Sequence, residues 1–204
     1  MHDVDRFDRW ADTYDRHFLQ RMVFEPVQET VLELAASEVP RPTAILDVGC
    51  GTGRLLMSAE RRFPSATLEG VDAAPGMVRH AQGVLPAGSR IRFRQATAEK
   101  LPFAAEQFDL VFSTMTFHHW ADQSLGASEI ARVLKPDGRW LLADFVAVGL
   151  MRYVRRVLRL RQFPVRGELD AVLAANGLQV VGERQVRGLR GQVPVMAIRK
   201  TDGR

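Results

Sequence analysis

The apolar and polar positions along this chain change repeatedly between two spacings, which predicts strands interleaved with helices. Ala44–Val48 is a short apolar run that leads into a glycine-rich turn, as a buried strand would. Arg54–Phe63 then carries Leu55, Leu56, Ala59 and Phe63 at helical spacing. Further strands are predicted at Thr67–Asp72, Arg90–Ala96, Phe108–Thr114 and Trp140–Val146, further helices at Glu25–Glu38, Pro75–Leu85 and Gly167–Ala175, and a terminal hairpin at Leu178–Val186 and Val193–Arg199. This alternation is typical of an α/β fold with a doubly wound, mostly parallel sheet.

One more helix, predicted at Asp122–Leu134, has an apolar face and a marked end. We expect its buried side chains to be Leu125, Ile130, Val133 and Leu134. Lys135–Gly138 follows with proline and glycine where a type I turn prefers them. A turn is therefore expected between this helix and the strand at Trp140–Val146.

Two amphipathic segments flank the alternating region. Near the N-terminus, one helical face collects Phe7, Trp10, Ala11, Tyr14 and Phe18. Further along, Leu150–Gln162 places most of its arginines on one half of a helical wheel and its apolar residues on the other. The simplest interpretation of the arginines is a solvated basic face. A second hypothesis is that residues 150–162 make weak contact with an anionic membrane surface.

The turn after the first predicted strand contains the pattern D-x-G-x-G-x-G, from Asp47 to Gly53. Glycines at this spacing allow a sharp turn and bring a ligand against backbone amides. A dinucleotide fingerprint, G-x-G-x-x-G, would need a third glycine where this chain has Arg54. Asp72 ends the next strand, where a carboxylate can accept hydrogen bonds from ribose hydroxyls. The loop therefore indicates a nucleoside ligand and disfavours a dehydrogenase.

The Asp47–Gly53 run resembles motif I of the class I S-adenosylmethionine (SAM)-dependent methyltransferases. The later segments Gln95–Phe103, Phe108–Trp120 and Glu129–Phe145 are similar to the family's subsequent motifs, in the same order. Phe7–Asp15 is similar to the opening helix of the subgroup that resembles ubiquinone/menaquinone-biosynthesis methyltransferases. The resemblance implies a Rossmann-like sheet of seven strands in the order 3-2-1-4-5-7-6, with the last strand antiparallel and helices at the N-terminus. It also implies SAM as the cofactor.

The resemblance assigns cofactor contacts along the whole carboxyl edge of the sheet. Asp47 would brace the loop, Asp72 would hold the ribose, and Met115 would lie near the methyl donor. The full expected set is Tyr14, Asp47, Gly49, Cys50, Gly51, Gly53, Asp72, Ala73, Met77, Thr97, Ala98, Glu99 and Met115. The chain departs from the family at Thr97, where an acid usually reads the adenine amino group, and at Ala74, where a serine often caps the next helix. A neutral hydroxyl at position 97 would make the weaker hydrogen bond.

On the acceptor side, two histidines follow the fourth predicted strand. His118 and His119 are the candidate catalytic residues, because an imidazole can act as a base near neutral pH. Trp10 and Tyr153 are expected to contact the substrate. No metal is expected, since adjacent histidines are poorly placed for one ion and no carboxylate cluster at ligand spacing accompanies them.

Composition limits the remaining possibilities. With 204 residues the chain is expected to be one domain, divided into an N-terminal helical cap (1–40), a cofactor-binding core (41–146) and a substrate-side helix with the terminal hairpin (147–204). The net charge of +4 is mild, and the single cysteine excludes an internal disulfide. The N-terminus lacks the apolar core of a signal peptide, so a cytoplasmic location is expected.

The sequence therefore predicts methyl transfer from SAM to a small, apolar or aromatic acceptor. A nucleic-acid methyltransferase is an alternative, although Ser113–Thr116 replaces the Asn/Asp-Pro-Pro-aromatic signature of the amino-modifying enzymes. Another alternative, to which Thr97 gives some support, is a non-catalytic protein of the SAM fold that binds the cofactor, or nothing, and serves as a partner or regulator of other proteins. The acceptor, its nucleophilic atom and the oligomeric state are left open.

Overall fold

The computed structural model describes residues 18–147, 163–188 and 191–201. Its helices are α1 (Phe18–Glu38), α2 (Arg54–Arg62), α3 (Pro75–Gly83), α4 (Gln123–Val133) and α5 (Arg166–Ala175), with a short 3₁₀ helix at Phe117–His119. Its strands are β1 (Ala44–Val48), β2 (Thr67–Asp72), β3 (Ile91–Gln95), β4 (Phe108–Thr114), β5 (Leu134–Ala143), β6 (Leu178–Gly188) and β7 (Gly191–Lys200).

The strands form one seven-stranded sheet in the order β3-β2-β1-β4-β5-β7-β6. The β1 strand is parallel to both β2 and β4, and β5 extends the parallel part beyond β4. The β7 strand then runs antiparallel to β5 and to β6. The strand order and the antiparallel last strand that the resemblance implied are therefore confirmed.

The central strands are buried on both faces, because helices cover both sides of the sheet. Neighbouring residues of β1 face opposite sides of the sheet. Ile45 packs into a core with Val31 of α1 and Leu56 of α2. Leu46 instead packs into the opposite core with Ile130 of α4. This two-sided burial explains why the central strands are apolar runs rather than alternating ones.

The segment around α4 differs from the prediction in two ways. Leu125 is 48% exposed, so its expected burial is wrong; it lies in the first turn of α4, where its N–H donates to the Asp122 cap. The expected separate turn at Lys135–Gly138 is also wrong, since these residues belong to β5. They form an irregularity in the ladder between the pairs Phe108–Leu134 and Leu110–Arg139. The longer β5 thereby carries Lys135 to the Asp109 carboxylate, at 2.8 Å.

Helix α1 begins earlier than the predicted Glu25, at Phe18, and contains Pro26. Proline removes one backbone donor from a helix. The Thr30 hydroxyl donates to the Pro26 carbonyl at 2.8 Å, four residues back along the helix. The N-terminal face from Phe7 and the arginine-rich segment Leu150–Gln162 lie outside the described residues. Within the described ranges, the helices are too short or too polar to span a bilayer.

Candidate functional site

The carboxyl ends of the parallel strands meet at one edge of the sheet, where α/β folds bind their ligands. The loops after β1 and β2 are tied together by backbone hydrogen bonds. The N–H groups of Gly49 and Cys50 both donate to the Val71 carbonyl, at 2.8 and 3.0 Å. The loop after β3 joins them, because the Ala96 N–H donates to the Asp72 carbonyl at 3.1 Å. These bonds make three consecutive loops one connected surface.

Two glycines in the first loop are required by close approach as well as by their positive φ. A Cβ at Gly49, where φ is +78°, would lie 2.1 Å from Thr116 Oγ1. At Gly53, where φ is +81°, a Cβ would lie 2.4 Å from the ring of Phe93 on β3. The loop after β4 therefore packs directly on Gly49, whereas Gly53 serves the packing of α2 against β3.

Asp72 links the glycine loop to the start of α3. Its Oδ2 accepts the Gly51 N–H at 2.8 Å, and its Oδ1 accepts the Ala74 N–H at 2.9 Å. Burial raises the pKa of this carboxyl, and hydrogen bonds from the Ala74, Gly51 and Ala73 N–H groups partly oppose the rise. Each carboxylate oxygen can accept more than one hydrogen bond, so both retain capacity for ligand hydroxyls.

Asp47 and Cys50 lie beneath the same loop and are nearly inaccessible. Burial, together with the nearby Asp72 charge, raises the pKa of Asp47 to about 8. Burial and the charges of the two aspartates also raise the pKa of the Cys50 thiol. Cys50 therefore stays a protonated thiol at neutral pH, which argues against a nucleophilic role.

A cavity opens above this loop, with an empty volume of about 580 Å³ including the part open to solvent. Its lining comes from α1, the glycine loop, the start of α2 and the end of β4: Phe24, Glu25, Gln28, Asp47, Gly49, Cys50, Gly51, Thr52, Arg54, Leu55 and Thr114. Among the described residues, the buried Thr114 hydroxyl makes no hydrogen bond. The N-terminal helical cap was predicted only as a segment, and its lining residues Phe24, Glu25 and Gln28 were not predicted individually; nor was Thr114, since a single residue on a helix or at a strand end carries no distinctive spacing.

The cavity fits SAM by three observations. Its floor is a glycine loop held open by packing, the Asp47 carboxyl lines it and can ionise beside a cationic ligand, and the Thr114 hydroxyl has no hydrogen-bond partner among the described residues. Of the residues predicted to contact the cofactor, the cavity brings together Asp47, Gly49, Cys50 and Gly51. Gly53 and Asp72 lie behind this lining, in the contacts given above.

The residues expected around the adenosine follow β2 and β3. The Ala73 carbonyl accepts from the Gln95 side chain at 3.3 Å, and Met77 is buried in the first turns of α3. In the next loop Thr97 is exposed, whereas Ala98 packs into the core below α4. The Glu99 carboxylate accepts the Asp122 N–H at 3.2 Å, next to α4. Their contacts with adenine stay a prediction.

Met115 leaves β4 in a left-handed conformation, with φ at +57°. Its N–H donates to the Ala143 carbonyl at 2.7 Å, which holds the strained turn against the end of β5. A non-glycine residue in this region costs about 1–3 kcal/mol and often marks a functional site. The turn places Thr116 on Gly49 and starts the 3₁₀ helix that carries both histidines.

His118 is paired with an acid that the sequence analysis missed. His118 Nδ1 lies 2.6 Å from Asp144 Oδ1, and its backbone N–H donates to Asp144 Oδ2 at 3.2 Å. Both side chains are buried, at 9% and 4% exposed. The His119 ring lies 3.9 Å from that of His118, centroid to centroid, and is half-buried. Asp144 could have been noticed as an acid within the apolar run that the sequence predicted as the fifth strand, Trp140–Val146.

Three residues of the predicted site, Trp10, Tyr14 and Tyr153, lie outside the described residues. Within the described ranges, no cluster of histidine, cysteine and carboxylate side chains could hold a metal ion.

Comparison with known proteins gives independent information on the family of this chain. Residues 46–142 match a family model described as a methyltransferase domain. The chain is 32% identical to the ubiquinone/menaquinone biosynthesis C-methyltransferase of Syntrophotalea carbinolica, over 89% of this chain and 88% of that protein. It is 35% identical to the malonyl-[acyl-carrier protein] O-methyltransferase of Geobacter sulfurreducens, over 86% of this chain and 69% of that protein.

A similar fold occurs in the crystal structure of the Burkholderia thailandensis 1,6-didemethyltoxoflavin-N1-methyltransferase, which contains 1,6-didemethyltoxoflavin and S-adenosylhomocysteine. The TM-score is 0.73 with 22% identity, over 98% of this chain and 89% of that one. At this identity the likeness supports the fold.

Proposed function

Since the chain belongs to the class I SAM-dependent methyltransferases, we propose that it transfers the methyl group of SAM to a small, apolar or aromatic acceptor. The predicted enzyme class and cofactor are confirmed by the family match and by relatives that share about a third of their sequence with this chain. The relatives' names concern a quinone-type compound and a malonyl group on a carrier protein. Those differ in chemistry, so the acceptor is argued from the site.

The observation that carries the proposal is the hydrogen bonding between the glycine loop and the Asp72 carboxylate. SAM supplies a methyl group on a positively charged sulfonium, which is already activated for transfer. The Gly51 N–H fixes one oxygen of Asp72 at 2.8 Å, and the Ala74 N–H fixes the other at 2.9 Å. Asp72 is thereby oriented to accept the ribose hydroxyls, while Asp47 and Thr114 face the cavity that would take the methionine part.

The remaining residues of the site align the acceptor and exclude water, which are the main protein contributions when the donor is already reactive. Phe145 and Phe163 are half-buried aromatic rings near His118, at centroid distances of 6.0 and 4.9 Å. Aromatic rings beside the proposed base favour a flat or apolar acceptor over a strongly charged one. His118 is the proposed base for this acceptor, and the catalytic role of His119 stays a prediction.

Calorimetric titration and an acceptor screen test the proposal. SAM should bind in competition with S-adenosylhomocysteine but not with NAD, and a panel of aromatic and apolar small molecules should contain a methylated product. Tight SAM binding with no transfer to any of them would favour the non-catalytic alternative. Methylation of RNA or DNA, with steeply salt-dependent binding, would favour the nucleic-acid alternative.

The predicted contact of residues 150–162 with a membrane surface is tested separately. If this segment rests on lipid, the protein should co-sediment with anionic vesicles at low salt and be released by high salt. Sedimentation that does not depend on the vesicle charge would contradict the idea. The expected cytoplasmic location stays a prediction.

A further inference from the structure

His118 and Asp144 form a buried pair at the carboxyl edge of β4 and β5. Asp144 follows the end of β5, and His118 lies in the 3₁₀ helix after β4. Besides its contacts with His118, Asp144 Oδ1 accepts the Phe145 N–H at 2.6 Å. The carboxylate is therefore held by the Phe145 N–H, the His118 N–H and the His118 ring, which leaves little freedom for the acid or for the imidazole.

Resting on the proposed function, we propose that Asp144 is a positioning residue that holds His118 as a base for an acceptor carrying a weakly acidic hydroxyl. A carboxylate next to Nδ1 favours the tautomer with the proton on Nδ1 and leaves Nε2 to accept a proton.

A purely structural role for the pair is disfavoured by its cost. Burying an acid and an imidazole removes both from water, and well-packed apolar residues usually stabilise such a position at least as well. The 3₁₀ helix already has backbone bonds of its own, from His119 to Thr116 at 2.9 Å and from Trp120 to Phe117 at 3.2 Å. The turn before it is held by the Met115 bond to Ala143. The Asp144 carboxylate does accept the His118 and Phe145 backbone N–H groups, but neither of those hydrogen bonds needs an imidazole at position 118, and the pairing of the two side chains supplies an oriented base.

An oriented base accelerates the methylation of only one of two kinds of acceptor. A carboxylate is already ionised at neutral pH, so removing a proton contributes nothing to its methylation. A phenol or enol keeps its proton at neutral pH, and a positioned base accelerates its reaction by about 10²–10⁴-fold. Phe163 stacks on His118 with an interplanar angle of 26°, and the Phe145 ring is tilted to the imidazole at a centroid distance of 6.0 Å. These rings suit a flat hydroxylated acceptor next to the imidazole.

The step balances without a further reactant. The acceptor O–H bond breaks, its proton moves to His118 Nε2, and its electron pair stays on the acceptor oxygen. The resulting anion forms a bond to the methyl group of SAM, the methyl–sulfur bond breaks, and sulfur keeps that electron pair. His118 then returns the proton to solvent, with Asp144 paired to Nδ1 throughout.

A series of substituted phenols that range from weakly to strongly acidic tests this inference. For weakly acidic phenols, Asp144→Asn should lower kcat/KM by about 10²–10³-fold, because the amide permits the wrong tautomer. For phenols that are ionised before binding, the loss should be less than about threefold. His118→Gln should show the same dependence on acceptor acidity, and His119→Gln, the matched neighbour, should show a smaller and uniform effect. SAM affinity should be unchanged in Asp144→Asn.

Nitrogen NMR of the ligand-free wild type adds a readout that does not depend on turnover. The His118 ring, assigned from the spectrum of His118→Gln, should carry its proton on Nδ1, and Asp144→Asn should shift the population toward Nε2–H. In the part of the chain that the structure describes, the titratable side chains in contact with His118 are Asp144 and His119, so the double variant Asp144→Asn/His119→Gln separates their contributions. If Asp144→Asn does not fold, the wild-type tautomer and the His118→Gln acceptor series still decide.

Equal losses for every acceptor, or a wild-type His118 protonated on Nε2, would overturn the inference. Transfer to carboxylates or amines but not to hydroxyls would overturn it while leaving the proposed function standing. Failure of transfer to all small molecules would overturn both.

Discussion

The most discriminating stability test concerns Asp47, which lies beneath the glycine loop. Its pKa is raised to about 8 from an ordinary value of 3.8, first by burial and then by the Asp72 charge. Between these two pH values the unfolded chain releases a proton that the folded chain keeps. Stability therefore falls by about 1.4 kcal/mol per pH unit as the pH rises, and the loss levels off above the folded pKa.

Asp47→Asn removes this cost, because asparagine has nearly the same shape and no charge. At pH 7 the cost for a rigid site is about 4 kcal/mol, and local relaxation brings the expected gain in unfolding free energy to about 2–4 kcal/mol. The gain should grow by about 3 kcal/mol between pH 5 and pH 8. Urea unfolding at each pH, without SAM, measures it. A gain that does not change with pH, or a variant less stable than wild type at pH 8, would refute the reasoning.

Asp109→Asn is the matched control, since folding lowers the pKa of Asp109 whereas it raises the pKa of Asp47. Partial burial opposes the shift, but hydrogen bonds from Lys135 and Thr43 hold the pKa of Asp109 at about 2. The ionised Asp109 carboxylate stabilises the fold at every pH above its unfolded pKa, and this stabilisation is lost only as the pH falls toward 2. Asp109→Asn should therefore lower the free energy of unfolding by the same amount at every pH between 5 and 8.

The same carboxyl should couple cofactor binding to pH. A cationic ligand favours the ionised form of Asp47, so SAM should bind the wild type more tightly at pH 8 than at pH 6. Asp47→Asn should bind SAM more weakly and without this dependence. Calorimetry at the two pH values measures both effects.

Three further predictions concern the Asp109 carboxylate, the glycine loop and the Asp72 carboxylate. Asp109→Ala should lower the free energy of unfolding by about 2–3 kcal/mol, because its carboxylate accepts two backbone N–H groups and the Lys135 ammonium; denaturation at pH 7 measures it. Gly49→Ala should lower the free energy of unfolding by about 2–4 kcal/mol, because the added Cβ clashes with Thr116. Gly51→Ala should lower it by only about 1–2 kcal/mol, because φ is +52° there but space for a Cβ is open. Asp72→Ala should weaken SAM binding by at least ~1 kcal/mol through lost charge-assisted hydrogen bonds, and an unaltered dissociation constant would contradict the assignment.

Local sequence spacing determined the strands and the glycine loop of this protein. Phe108–Thr114 has the predicted bounds because a strand buried on both faces is an uninterrupted apolar run between polar turns. The positive φ of Gly49 and Gly53 follows from the same loop pattern. The boundary after α4 was mispredicted, since proline and glycine at 135–138 indicate a turn, whereas pairing with β4 keeps these residues in β5.

Contacts between distant residues were decided by the tertiary structure alone. Asp144 and His118 are 26 residues apart, and Asp109 and Thr43 are 66 apart. No local spacing encodes either pair. Each exists because parallel pairing aligns one strand end with another and a crossover helix closes the distance. The sequence could therefore indicate which loops bind the cofactor, but only the packed sheet determined which acid faces which base.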